Sequence, residues 1–464
     1  MKTQHNTKRH SFGLTVLAVL MLAALSSKGQ QAKQFSLEQA QRYALENNTS
    51  IRNAMLDVKI AQKKIWETTA IGLPQVTAKG QYQNIFKVPM VSFGMSFDPT
   101  LLPATGNLTK DDILNAYAMG PAMPLGVKEN TTLDITFSQL LFSGSYIVGL
   151  QASRVYAQLS NQTLQKSKND VIESVTTTYC MILVGEESRA ILKDNLSVVE
   201  KTLYEIDEMY GQGFVEKTDV DQLRVTANNL RNSLSSLERS ILVAYNLMQV
   251  QMGTPDSVRI SLTDSLPGVI ASLNIEPLVA EQFILNNSPE YQLVGTAEQL
   301  ARLDYKREKW EFLPTVSAAF VHNEKAKTPE FDFSPKNVLA IQATMPIFTS
   351  GSRLARLSQK KMALEQARNN RDYVSESLKL AASQAQYDLL SQNETFKNQK
   401  LSMELSRDIY NRTLEKYRQG VAASLDLMNT QNQYLSSLSN YYQSVFNVVQ
   451  SKAKLEKILN KEIK

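Results

Sequence analysis

The chain carries one series of landmarks twice. Leu73-Pro74 returns as Leu313-Pro314, Leu141-Phe142-Ser143-Gly144 as Ile347-Phe348-Thr349-Ser350-Gly351, and Tyr210-Gly211-Gln212-Gly213 as Tyr417-Arg418-Gln419-Gly420. Gly144 and Gly213 are 69 residues apart, and so are Gly351 and Gly420. Asn47-Asn48 and Asn286-Asn287 precede the Leu-Pro marks at matching places. Chance supplies one such pair, but an ordered set indicates a duplicated unit. The expected organisation is a first repeat over 30–255, a connector over 256–274 and a second repeat over 275–464. The two repeats differ chiefly between Pro74 and Gly144, where the first is longer by 33 residues. The extra length is rich in Met, Pro and Gly, and such insertions belong in a surface loop.

Residues 1–29 have the form of an export signal. Lys2, Lys8 and Arg9 precede an apolar stretch from Phe12 to Leu25, and Ser27-Lys28-Gly29 places small residues at −3 and −1 before Gln30. The apolar stretch is 14 residues, short of the roughly 20 that a spanning helix needs. No later apolar run reaches 18 residues. If the exported chain enters a membrane, it does so as a β-barrel, whose strands pair their backbone groups with one another.

Within each half the apolar period switches. Ser36-Leu37-Glu38-Gln39 is a capping box that opens a helix ending near Gly72-Leu73-Pro74. Then Val76, Ala78, Gly80 and Tyr82 oppose Thr77, Lys79, Gln81 and Gln83, and Leu133, Ile135 and Phe137 oppose Asp134, Thr136 and Ser138. In the second half Val316, Ala318 and Phe320 alternate likewise, as do Ile341, Ala343 and Met345. The pattern predicts about four strands of roughly ten residues, either in a membrane barrel or in a two-faced soluble sheet. Long helices follow each pair. Leu192, Leu196, Val199, Leu203, Ile206 and Tyr210 step by fours and threes, as do Leu223, Ala227, Leu230, Leu234, Leu237 and Ile241, and later Leu438, Tyr442, Val445 and Val449. This is coiled-coil spacing. A helix of about 65 residues would be about 100 Å long, which suggests a projecting tube or rod. Gly211, Gly213 and Gly420 mark where each long helix stops and the chain turns back.

Four strands cannot close a barrel, and open edges are not tolerated in lipid. If the strands are membrane strands, several chains must therefore share one barrel. Two chains would give a filled interior; three would leave a water-filled pore.

Composition removes most other classes. The single cysteine, Cys180, excludes a disulfide framework and multi-cysteine metal sites. Among Tyr179, Met181 and Ile182 it reads as a small buried hydrophobe. Only His322 remains once the leader is removed, and it reads as a surface residue at a strand end. The formal charge of +5 includes four basic leader residues; without them 46 basic residues face 45 acidic ones. That balance removes the charge argument for a nucleic-acid partner. Gly211-Gln212-Gly213 lacks the third glycine and the preceding strand of a dinucleotide loop. Trp66 and Trp310, just before the Leu-Pro marks, suit an interfacial belt or ordinary helix packing. No catalytic constellation appears, so the chain is read as a non-enzyme without cofactor or metal.

The leader, the duplication, the strand-to-helix Phe-Ser-Gly marks and the glycine turns followed by aspartate together resemble the outer-membrane efflux protein family, the TolC-like channels. The resemblance covers nearly the whole mature chain. It implies a mainly α fold with a membrane β-barrel contribution: long helical hairpins forming a trimeric α-barrel in the periplasm, and four strands per chain in a 12-stranded outer-membrane β-barrel. The implied partners are two further copies, outer-membrane lipid, a periplasmic adaptor (membrane fusion) protein, and an inner-membrane efflux pump or ABC exporter. Loops 84–130 and 322–337 would face outside, and turns 211–220 and 418–425 would form the periplasmic entrance.

The resemblance also assigns site residues. Thr218-Asp219 matches the family's Thr-Asp, Tyr417 a gating tyrosine, and Asp426 a pore-constricting aspartate. Gly213 and Gly420 are the tip turns. Asn429 stands where a second aspartate is found in the best-known members, and Ala422 where a gating arginine is found, so the acidic ring carries less charge. A Tyr417–Asp219 hydrogen bond is the expected latch, and three copies of Asp426 the expected cation-attracting constriction. On the residues alone, Asp219 and Asp426 equally suit simple capping of the returning helices. The expected function is an exit duct for small solutes. Export of polypeptides by a type I secretion system, and a non-conducting structural coiled coil of the envelope, are the alternatives.

Overall fold

Local caps and apolar spacing set the elements of the chain, here described from a computed structural model over residues 33–92, 95–104, 106–119, 122–329 and 332–461. The export signal expected over 1–29 lies outside the described residues. The main elements are β1 (Lys33–Phe35), α1 (Leu37–Asn47), α2 (Thr49–Ala70), β2 (Gln75–Asn84), β3 (Glu129–Phe142), α3 (Gly144–Gly211), α4 (Lys217–Met252), β4 (Ile260–Leu262), α5 (Pro289–Trp310), β5 (Thr315–Lys325), β6 (Asn337–Thr344), α6 (Ser352–Arg418) and α7 (Ser424–Ile458). The chain divides into two compact units. One comprises Met1–Lys59, Gln158–Ala297 and Arg368–Lys464; the other comprises Ile60–Ala157 and Glu298–Ala367. Each takes segments from both halves of the sequence. None of the described helices is long and apolar enough to cross a membrane.

The unit holding Ile60–Ala157 and Glu298–Ala367 is built on a four-stranded antiparallel sheet in the order β6-β5-β3-β2. Val76 pairs with Phe137, Phe137 with Phe320, and Phe320 with Leu339. That register places Val76, Ala78, Tyr82, Leu133, Ile135, Phe137, Ala318, Phe320, Leu339 and Ile341 on one face, because strand side chains alternate. Most of the large ones among them are exposed. The opposite face carries Lys79, Gln81, Asp134, Thr136, Asn323 and Gln342, and Asn323 Nδ2 donates to Asp134 Oδ1. The alternation read from the sequence is therefore real, and in the single chain it leaves the apolar face uncovered. β2 and β6 are the sheet's outer strands, and each is paired on one side only.

Strand-to-helix joints are fixed by close approach and by charge. A Cβ on Gly144 would sit 2.8 Å from Trp310 O, so only glycine allows α3 to start against the end of α5. Arg356 Nε donates to the buried Glu308 at 2.7 Å and Lys360 Nζ to Asp304 at 2.7 Å, tying α6 to α5. The expected surface insertion, from about Pro89 to Gly126, extends the β2–β3 hairpin by two short ladders, Met90–Ser92 with Ala122–Pro124 and Met95–Phe97 with Tyr117–Met119. Trp66 is exposed, whereas Trp310 is half-buried with Lys306 Nζ 5.1 Å above its ring.

The other unit is helical. The capping box forms as expected: Ser36 Oγ accepts from Gln39 N at 3.3 Å, and Gln39 Oε1 accepts from Ser36 N at 3.0 Å. Leu196, Val199, Ala227 and Leu230 make one buried cluster, and Ile206, Val220 and Leu223 another. Leu438, Tyr442 and Val445 join the main core with Tyr179, Ile182, Met248 and Met252. The stepping residues are thus the helix–helix seam, except Tyr210, which the helix end leaves exposed. β1 pairs in parallel with β4. Asp264 secures that pairing: its Oδ2 accepts from Leu37 N at 2.8 Å and lies 2.9 Å from Tyr179 Oη. Gly253 ends α4 at φ 70, and a Cβ there would lie 2.3 Å from Asn47 O.

Cys180 is 2% exposed, and burial pushes its thiol up to about 12. The thiolate is the reactive species. The folded protein is expected to leave Ellman's reagent unreacted near neutral pH and to release one thiol per chain after denaturation. Rapid reaction of the folded protein would show that α3 is not packed in this way.

Candidate functional site

The two helix-reversing turns are built alike. At the end of α3, Gly213 has φ 78; its N–H donates to Tyr210 O at 2.9 Å and Phe214 N donates to Met209 O at 3.0 Å. At the end of α6, Gly420 has φ 72; its N–H donates to Tyr417 O at 3.0 Å and Val421 N donates to Lys416 O at 2.9 Å. A left-handed residue that returns the chain's donors to the last carbonyls is a glycine-favouring helix stop. Glu216 and Ala423 then precede α4 and α7 in extended conformation, and neither offers a side-chain cap.

Asp219 and Asp426 consequently occupy the same place, the third position of α4 and of α7. The backbone N–H of each donates to the carbonyl three residues back, at 3.1 Å in both. Both carboxylates lie at the positive end of a helix dipole, which favours them there. Their surroundings differ. Asp219 is half-buried, and its Oδ1 accepts a hydrogen bond from Ser424 Oγ, the first residue of α7. Asp426 is exposed, as is Asn429 one turn further on, and among the described residues no side chain bonds the Asp426 carboxylate. Thr218 is exposed, and its Oγ1 donates to Glu216 Oε2 at 3.2 Å.

Tyr417 is half-buried against Ile206, Val220 and Leu223. Burial raises its hydroxyl pKa, and the nearby Asp219 charge raises it further. The expected Tyr417–Asp219 hydrogen bond is not formed within the chain; the carboxylate takes the Ser424 hydroxyl instead. The turn from Gly420 to Ala423 is short, and it sets Ser424 at the start of α7 beside the first turn of α4. Ser424 was not singled out from the sequence. Its signal was a lone hydroxyl at a helix start lacking a capping residue.

The tip is thus a junction between the two hairpins of one chain. It combines an apolar seam, a hydroxyl–carboxylate link and exposed polar positions. Among the described residues no group of three or more His, Cys, Asp or Glu side chains is placed to hold a metal. The described residues thus combine a two-faced four-stranded sheet with long helical hairpins reversed at two like turns.

Comparison with known proteins agrees. The family described as "Outer membrane efflux protein" matches residues 282–461. The outer membrane efflux protein BepC of Brucella suis biovar 1 (strain 1330) is 21% identical over 441 residues, covering 94% of this chain and 87% of BepC. Among solved structures, the outer membrane protein VceC of Vibrio cholerae superposes with TM-score 0.69 at 15% identity, over 92% of this chain and 97% of VceC. The Neisseria gonorrhoeae MtrE outer membrane channel, in its open state, superposes with TM-score 0.69 at 16% identity, over 91% and 88% of the two chains. The chain is similar to the outer-membrane efflux proteins, and its fold is that of the TolC-like channels.

A hydrogen bond to a charged group contributes on the order of 1.5–3 kcal/mol, and 1.4 kcal/mol is a factor of ten. Ser424→Ala should therefore raise amide hydrogen exchange in the first turns of α4 and α7 by about tenfold or more, leaving the middle of α3 unchanged. Equal exchange in both proteins would show that the link does not hold the tip.

Proposed function

We propose that the protein is an outer-membrane exit duct of a tripartite efflux system. Residues 1–29 direct export and are removed at Gly29, and the repeats over 30–255 and 275–464, joined by 256–274, each supply two strands and a helical hairpin. Three copies share a twelve-stranded barrel in the outer membrane, and their helices form a periplasmic cylinder. The tip turns receive a periplasmic adaptor and, through it, an inner-membrane pump, which passes small solutes into the duct.

One observation carries this reading: an apolar sheet face is exposed between two unpaired edges. Such a sheet is unstable in water and untenable alone in lipid, but closed by copies of itself it is a membrane barrel. The names of the similar proteins, an efflux protein and outer-membrane channels, favour the same use. The tip acts as the resting gate, with Ser424–Asp219 linking the hairpins, Tyr417 packed behind the link, and Asp426 with Asn429 facing the lumen.

Conductance in planar bilayers tests the duct. Asp219→Ala with Tyr417→Phe is expected to raise resting conductance by about tenfold, in line with loss of a charged hydrogen bond. Asp426→Asn should lower cation selectivity. A deletion strain should accumulate pump substrates. A detergent-stable trimer that never conducts, even with both tip substitutions, would favour a structural envelope protein. Normal solute efflux with loss of a secreted polypeptide would assign the duct to protein export.

A further inference from the structure

Charge on the sheet's polar face is confined to one end. Toward the strand ends that join the helices, Gln75 pairs with Ser138, Ser138 with Ala319 and Ala319 with Ala340. In the same way Thr77 pairs with Thr136, Thr136 with Val321 and Val321 with Val338. These two rows carry only amide, hydroxyl and aliphatic side chains. Toward the hairpin loops, Lys79 pairs with Asp134 and Asp134 with Asn323, and Gln81 pairs with Thr132 and Thr132 with Lys325. Strand side chains alternate, so the charged residues on this face of the four strands are Lys79, Asp134 and Lys325.

Lys79 is set apart from the other charges of that end. Lys325 Nζ donates to both carboxylate oxygens of Asp332, at 2.7 and 2.9 Å, and the two side chains are only 15% and 24% exposed. Glu129 and Glu324, on the opposite face, accept from Lys327 at 2.8 Å and Lys336 at 3.2 Å. Asp134 is half-buried, and its Oδ1 accepts from Asn323 Nδ2 on the β5 side. Lys79 stands opposite Asp134 on the β2 side, is exposed, and makes no ion pair among the described residues. Its ammonium therefore stands clear of the wall on a long arm, while the short carboxylate beside it is held back.

We propose that Lys79 sets the charge preference of the strand section of the duct, favouring solutes that carry an anionic group, and that Asp134 opposite it limits that preference. The inference rests on the reading of the chain as a duct, in which the polar face lines the lumen and the apolar face meets lipid. It adds which solutes the section beyond the helices favours. A passing solute meets the free ammonium at closer range than the half-buried carboxylate, and charges on a pore wall act most strongly at short range. The strand section then opposes the cation-attracting tip, and a solute bearing both an anionic and a cationic group is favoured by one section after the other. A lysine on an outer strand also guards that edge against wrong pairing. That second role alone would leave ion selectivity untouched when the charge is removed.

Planar bilayers test the proposal at low ionic strength, where wall charges are least screened. The parent is the full-length protein with Asp219→Ala and Tyr417→Phe, so that the tip does not set the result. Under a potassium chloride gradient, Lys79→Gln is expected to shift the reversal potential toward that of potassium, and Asp134→Asn toward that of chloride. A second arm compares one folded protein before and after labelling, using Lys79→Cys with Cys180→Ser. A methanethiosulfonate bearing trimethylammonium should shift its reversal potential toward chloride, and one bearing sulfonate toward potassium. The same reagents on Ala78→Cys, which lies on the apolar face, should shift nothing. A conducting Lys79→Gln protein with the parent's reversal potential would overturn the proposal. So would label-dependent shifts from Ala78→Cys and none from Lys79→Cys. Parent and variants that all fail to conduct would overturn the duct reading itself.

Discussion

Each outer strand of the four-stranded sheet presents a row of N–H and C=O groups that no other strand among the described residues pairs. In water those groups would be solvated, but the apolar face beside them would not. In hydrocarbon the face is satisfied, and each unpaired amide costs several kcal/mol. A single environment cannot satisfy both features of an isolated chain. Closure with further copies satisfies them together, since the amides pair while the apolar face stays outward. In the proposed duct, oligomerisation is then a condition of the fold rather than a later association, and it follows from the unpaired backbone groups taken together with the apolar face.

The helices answer a different requirement. α3 with α4, and α6 with α7, bury a seam of residues stepping by threes and fours, which suits antiparallel neighbours joined by a tight turn. At each turn a glycine takes the left-handed conformation, and an aspartate follows at the third position of the returning helix. The two tips thus share one backbone geometry and differ in chemistry. The first aspartate is engaged by the Ser424 hydroxyl of the other tip, while the second is exposed, with no side-chain bond to its carboxylate among the described residues. In the proposed duct, two carboxylates at matching positions, one linked and one exposed, would divide the holding of a gate from the attraction of cations.

Much of this was legible in the residues. Alternation over β2, β3, β5 and β6, the helical seam and the glycine stops are all periodic or local signals, and local signals survive in a sequence. What was not legible depended on long-range pairing. β1 and β4 are three residues each, too short to show a period, and they meet across most of the first repeat. Ser424 carries no motif, and its value arises only because the short turn after Gly420 sets it beside Asp219. Tyr210 followed the seam's spacing yet lies exposed, because the helix it would pack against has already turned. The resemblance pointed to a Tyr417–Asp219 link; within the single chain Asp219 instead accepts from Ser424 Oγ.

The dependence of the fold on shared edges is tested most directly by native mass spectrometry of the mature protein released from detergent micelles. A mass of three chains, with no folded single chain as the micelles are diluted, is the expected result. A folded single chain that remains soluble after detergent is removed would contradict the barrel, and the transport function with it.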